Sequence, residues 1–381
     1  MAGYRRRETT AEQMAEEIGI TPRRVRQLYR DYLKACASGE DEKWEPGKSG
    51  GYHGKEIPWE IKELWVKMLS AIPPASYSFV ASEGLRRYGF ITDRATVRRW
   101  AIQAGYAHKE KKVEQVASVR RWQCAEVGTL WQLDASSHRW FAENEESFAM
   151  LNMLDDCSRV ITGSRLYPRE CLLAYLDFLS RALETYGLPL ALYVDYHSFF
   201  FSQTPDNLTY LGEALRFYDV SLKYAPTPQA KGKIERHHQF WQKRLPSYFA
   251  AEGIDRIDMA NQHLDLLRLH HNEKEIHREL QMTPQQAWTR ARREKRYVLR
   301  PCCKDPWWHY IWSVRNRVRV GLDGRVPVDY LRLGISARIA SWVLRCTHPD
   351  GSYTFLANEP GTGGKPIVLL RYEGSGSKWK V

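Results

Sequence analysis

Two apolar runs in the middle of the chain, LWQLD at residues 130–134 and LALYVD at 190–195, each lead into an aspartate. An acid at the end of an otherwise apolar strand is costly unless it is paired, protonated or metal-bound. Folds that carry such acids place them where strands end and a helix passes over them. The surrounding pattern supplies those elements. FAMLNMLDD and SRVITGSRLY read as strands, ECLLAYLDFLSRALETYG as an amphipathic helix, and VSLKYA as a further strand between helices near 209–218 and 231–245. Three early strands followed by alternating helices and strands indicate a mixed α/β sheet rather than a barrel.

The flanks differ in kind, and at 381 residues the chain exceeds what one hydrophobic core organises. Residues 1–37 read as two short helices around a turn. Ala11, Met14, Ala15 and Ile18 share a helical face, Thr9 and Glu12 are spaced as a capping box, and Gly19 breaks the pattern. Thr21 and Pro22 open a second helix that buries Val25 and Leu28 and presents Arg23, Arg24, Arg26 and Gln27 outward, a helix-turn-helix pattern with a basic recognition helix. Residues 38–57, rich in glycine and charge, are expected to be a linker. A second helix-turn-helix unit is expected over 58–107, where GFITDRATVRRWAIQAG has a cap at Thr92 or Asp93, inward Val97 and Ala101, and outward Arg94, Arg98 and Arg99. A basic connector, 108–122, leads into the α/β core at 123–293. Beyond it, VRNRVRVGLDGRVPV and SWVLRCTHPDGSYTFLA read as hairpins of a small β-barrel over 294–381.

Fifty-seven Lys and Arg oppose forty-five Asp and Glu, and the formal charge of +12 suits a polyanionic partner, nucleic acid ahead of an anionic membrane. No run approaches eighteen apolar residues, and MAGYRRRETT has no apolar stretch behind its basic residues, so neither a membrane span nor a signal peptide is expected and the cytoplasm is the expected location. Seven cysteines without paired CxxC spacing fit reduced thiols.

Metal-assisted phosphodiester transfer needs clustered carboxylates, because hard divalent ions prefer oxygen ligands and two ions about 4 Å apart can activate the attacking oxygen and stabilise the leaving one. Asp134 and Asp195 end apolar strands, and Glu235 lies in the first turns of the helix KGKIERHHQFWQKRL. On that helix Ile234, Trp241 and Leu245 form a buried stripe, leaving Lys231, Glu235, Gln239 and Gln242 near another face. Lys231 and Lys233 are placed to contact a DNA backbone. Asp155 and Asp156, in LDDCSR, fit turn and pairing roles instead. Glu170 fits a helix start, and His237 with His238 a packing or DNA-facing feature.

The segments GTLWQLDASSHRWF, LNMLDDCSRVITG, YGLPLALYVDYHSFF and YAPTPQAKGKIERHHQFWQKRL occur in that order. They resemble the first strand, second strand, second-acid strand and glutamate helix of the ribonuclease-H-like core of bacterial insertion-sequence transposases in the retroviral-integrase superfamily. The strings Asp-x-Ser-x-His-x-Trp from Asp134 and Asp-x-His-Ser from Asp195 resemble the family usually classed among unassigned insertion sequences. TPQQAW at Thr283 is similar to the element that closes this core, whereas Tyr196-His197 replaces the Asn-Gly that many relatives carry after the second acid. The resemblance implies a DDE transposase in which Asp134, Asp195 and Glu235 hold two Mg²⁺ ions, or Mn²⁺ as substitute, for DNA cleavage and strand transfer. It also implies double-stranded DNA partners, both terminal inverted repeats and target, a homo-oligomer assembled on DNA, and a place at the bacterial nucleoid. Two alternatives stay open: a domesticated, non-catalytic DNA-binding regulator, and a ribonuclease-H-like nuclease that only hydrolyses.

Overall fold

Helix α1 (Ala11–Ile18) starts on a capping box in which Thr10 accepts from the Gln13 amide and Gln13 reaches back to the Thr10 amide. This lies one residue later than the sequence pattern placed it. Thr10, not Thr9, is the extended residue directly before the first helical turn, so its hydroxyl meets the unsatisfied amides. Gly19 closes α1 in the left-handed region, φ 68°. Helix α2 (Pro22–Ser38) follows, and Ala11, Ala15 and Val25 form a small core while Ile18 stays exposed. Arg23, Arg26 and Gln27 are exposed, Arg24 is half-buried, and Arg26 pairs with Glu12.

These helices belong to a first compact unit, Met1–Pro58, and the rest of the chain, Trp59–Val381, forms a second. The computed structural model describes residues 9–38, 56–108, 122–142, 146–202, 208–226 and 231–373. Most of the expected linker, 39–55, and of the basic connector, 109–121, lies outside the described residues.

In the second unit, α3 (Trp59–Leu69), α4 (Tyr77–Tyr88) and α5 (Arg94–Gln103) pack around the fully buried Trp65, which meets Phe90 and Trp100 edge-on. Asp93 caps α5 through the Thr96 amide at 2.6 Å. Val97 and Ala101 are buried, while Arg94, Arg98 and Arg99 are exposed. The bundle is bolted to the core helices by charge. Glu83, with no exposure, accepts from Arg86 and Arg87; Arg87 continues to Glu252 at 2.7 Å, and Ser82 donates to Glu275.

The core is a five-stranded sheet in the order β3-β2-β1-β4-β5, with β1 (Leu130–His138), β2 (Phe148–Asp155), β3 (Ile161–Tyr167), β4 (Ala191–Val194) and β5 (Ser221–Tyr224). Strands β1, β2 and β3 pair antiparallel, and β4 and β5 join β1 in parallel. Alternation along β1 and β2 sorts the two faces. Trp131, Leu133, Leu151 and Met153 pack with helix α6 (Leu172–Tyr186) and helix α7 (Tyr210–Phe217). Gln132, Asp134 and Ser136 point to the other face, crossed by α8 (Gly232–Gln242), followed by α9 (Leu245–Glu252) and α10 (Ile257–Lys274). Helix α11 (Pro284–Arg293), begun by a capping box between Thr283 and Gln286, returns Trp288 to the core.

After the short α12 (Trp308–Ile311), the expected barrel is not formed among the described residues. Strands β6 (Val314–Arg319), β9 (Trp342–Thr347), β10 (Tyr353–Leu356) and β11 (Val368–Tyr372) make an open antiparallel sheet, β11-β10-β9-β6, with its end strands unjoined. The expected hairpin β9–β10 forms, but VRNRVRVGLDGRVPV does not pair with itself. Its first half, β6, pairs with β9, and its second, β7 (Arg325–Val328), pairs with β8 (Leu331–Gly334) as a separate ribbon. Val326 and Val328 of that ribbon bury against Val343 and Phe355, so the apolar face is covered without closure. No helix of the described residues is long and apolar enough to cross a membrane.

Candidate active site

Asp134 lies in mid-strand, not at a strand end, because β1 continues to His138 along its antiparallel partner β2, Asp134 opposite Asn152. On the other side β4 stops at Val194, and its parallel ladder with β1 ends at the pair Gln132–Tyr193. Asp134 and Asp195 each stand two residues beyond that pair, so the register brings them level where β1 runs on past the end of β4. The ammonium of Lys231, at the start of α8, is 2.6 Å from Asp134 Oδ1 and 3.8 Å from Asp195 Oδ2. His238 Nε2 stands 3.5 Å from the other Asp134 oxygen, an electrostatic contact too long for a well-formed hydrogen bond. Burial pushes the Asp134 carboxyl up, but His238 and Lys231 outweigh it and hold it below the ordinary aspartate value. Asp195 also accepts from the His197 amide, and Tyr196 stacks on Tyr224 beside it.

Lys231, Glu235 and His238 follow the i, i+4, i+7 spacing and share one face of α8. Glu235 is exposed and has no hydrogen-bond or ion-pair partner among the described residues. Among them, no group of three or more His, Cys, Asp and Glu side chains stands close enough together to hold a metal ion. The structure therefore brings Asp134 and Asp195 together and leaves Glu235 apart on the adjacent turn. Two carboxylates in register are an all-oxygen donor set of the kind a hard divalent ion takes, and the Lys231 ammonium supplies the positive charge between them.

The lysines expected on a DNA-facing surface are turned inward. Lys231 is 4% exposed. Lys233 donates to Asp156 and to the Trp122 carbonyl and lies over the Trp122 ring, and burial pulls its ammonium below the ordinary lysine value. Asp155 and Asp156 are fully buried structural acids. Asp155 accepts from the amides of Gly128 and Ser158, and Asp156 from the Cys124 amide and Gln132. Glu170 accepts from Tyr175 rather than capping α6. His237 meets Asn152 beneath the helix. Helical spacing puts Lys231 on the face of Glu235, but the approach of Lys231 and His238 to Asp134 is not evident from the sequence.

A β3-β2-β1-β4-β5 sheet with one aspartate on β1, a second directly after β4 and a third acid on the helix across the sheet is the arrangement of the ribonuclease-H-like class. Within that class the chain is related by sequence to insertion-sequence transposases. It is 29% identical over 254 residues to the putative transposase y4bF of Sinorhizobium fredii, covering 62% of this chain and 55% of the relative. It is 33% identical over 142 residues to the transposase for insertion sequence IS1202 of Streptococcus pneumoniae, covering 35% of this chain and 30% of the relative. The chain thus spans about half the length of the first of these relatives and less than a third of the second. No family model matches. Among solved structures, a chain of the simian T-cell lymphotropic virus intasome in complex with PP2A regulatory subunit B56 gamma is similar at a TM-score of 0.41 and 15% identity, over 69% of this chain and 84% of that one. The HTLV-2 integrase catalytic core domain in complex with magnesium is similar at a TM-score of 0.34 and 16% identity, over 43% and 97%. At these scores the class rests on the strand order and the acids, not on the two likenesses.

Proposed function

We propose that the chain is a DDE transposase that binds the terminal inverted repeats of an insertion sequence, cuts the DNA at the element ends and joins them to target DNA. The observation that carries this reading is the level placement of Asp134 and Asp195 around one ammonium, with Glu235 one turn further along the same helix. Asp134, Asp195 and Glu235 would hold Mg²⁺ or Mn²⁺, whose chemistry when bound is to polarise the scissile phosphate and activate the attacking oxygen. The protein's own part is to keep the Asp134 carboxylate ionised and to fix both aspartates by strand register, so that the ligands are preorganised. Arg23, Arg24, Arg26 and Gln27 of α2, and Arg94, Arg98 and Arg99 of α5, are the proposed DNA readers. The open C-terminal sheet is assigned to assembly of a homo-oligomer on DNA or to target contact.

The test uses Asp134→Asn, Asp195→Asn and Glu235→Gln, which keep side-chain volume and remove an anionic ligand. In a gel assay with end-labelled repeat DNA, binding should persist, while Mg²⁺- or Mn²⁺-dependent cleavage and strand transfer should fall by orders of magnitude. Three variants that cleave like the parent would remove the triad. A parent that binds but never cleaves with either metal would put a non-catalytic regulator in its place, and cleavage without any joining would point to a nuclease.

A further inference from the structure

Helix α8 has a second functional face. While Lys231 and His238 approach Asp134, Lys233, Arg236, His237 and Phe240 lie on the opposite side by helical spacing. There they line a cavity of about 170 Å³, completed by Arg159 from the β2–β3 turn and by His277 and Glu279 from the segment after α10. Arg159 is only 8% exposed, yet its Nη1 has no hydrogen-bond partner among the described residues, and the same holds for His237 Nε2 and His277 Nδ1. Buried polar groups of this kind are costly to leave without a partner.

Most of the charged groups lining the cavity are cationic. Lys233 is engaged by Asp156. The guanidiniums of Arg159 and Arg236 both face the carboxylate of Glu279, at 3.9 and 3.1 Å, and the Glu279 side chain is a third exposed at the cavity mouth. At about 30 Å³ per water molecule, the space admits a tetrahedral oxyanion together with a few waters.

We propose that this cavity is a binding site for one phosphate group of a DNA backbone, held by Arg159 and Arg236 after displacement of Glu279. Glu279 is the internal stand-in: it gives both guanidiniums an anion when DNA is absent and leaves the mouth when a phosphodiester arrives. The oxyanion chemistry stands on the cavity alone. DNA as the source of the phosphate rests on the DNA-binding part of the proposed function.

The first arm of the test titrates the full chain with inorganic phosphate by calorimetry at constant ionic strength. Arg236→Gln should weaken phosphate binding about tenfold, as expected on losing a charge-assisted contact. Glu279→Gln should tighten it severalfold, and because Glu279 is at the surface this variant keeps its fold. Unchanged or weaker binding in Glu279→Gln would overturn the site. The second arm measures affinity for a short duplex of arbitrary sequence against salt. Arg236→Gln should make the log–log slope shallower by roughly 0.9, the loss of one phosphate contact. If phosphate behaves as stated but the slope does not move, DNA is overturned as the source. Neither arm depends on cleavage, so the result is separate from that of the triad variants.

Discussion

Lys231 stands between two carboxylates that would otherwise repel each other across β1 and β4, and removing its charge should leave them seeking a cation from solution. Asp134 is held below the ordinary aspartate value, so its pairing contributes stability above about pH 3.9 that is lost as pH falls through the lower folded-state value. We expect Lys231→Gln to cost roughly 1–3 kcal/mol at pH 7 in chelator, less than a fully buried pair because Asp195 is 54% exposed. Millimolar Mg²⁺ should return part of the lost melting temperature and move the parent less. A variant that melts like the parent, with or without Mg²⁺, would show that Lys231 does not neutralise the pair. The two aspartates were legible because an acid interrupting an apolar strand is a local anomaly. The pairing of Lys231 was not, because a lysine opening a helix beside an acid reads as a contact to a DNA backbone. Only the register of β1 against β4, a contact across some sixty residues of chain, turns it inward.

At the scale of elements, the packing of α6 on β3 depends on Gly163, where a Cβ would lie 2.6 Å from the Phe178 ring. Gly163→Ala should therefore cost about 1–3 kcal/mol by overpacking, read from urea unfolding. Adding Phe178→Ala should relieve the clash, so the double variant should lose less than the two single losses summed. The helices were legible in the sequence because their apolar spacing and caps are local: Thr21 on α2 is evident, and Asp93 on α5 is one of two adjacent candidates. The first cap lies one residue from its expected place, where Thr9 and Thr10 are adjacent candidates, and Glu170 binds Tyr175 instead of capping α6. The C-terminal strands were recognisable as strands, but their partners were not. The turn after Val320 suggested a hairpin, yet β6 finds β9 and β7 finds β8, and whether a sheet closes is decided by those longer-range pairings.

At the scale of the whole molecule, acid should act through buried histidines. Burial draws His277 down to about 4 and His348 to about 3 from the ordinary 6.5, so the unfolded chain binds more protons throughout that window. Stability should then fall as pH drops from about 6.5 toward 4, and the melting temperature of His348→Asn should fall less steeply than that of the parent over the same range. Parallel slopes would rule His348 out as a contributor. The clamp centred on Glu83 ties α4, and with it α5, to the helices behind the sheet. Glu83→Ala, which strands Arg86 and Arg87, should cost roughly 3 kcal/mol by denaturant titration. That clamp makes the second unit a fixed gauge rather than two tools on a string. DNA is a screw of about 10.5 base pairs per turn. For an end read by α5, about five extra base pairs before the cut would therefore carry the scissile phosphate to the far side of the duplex, and a full turn would bring it back into phase.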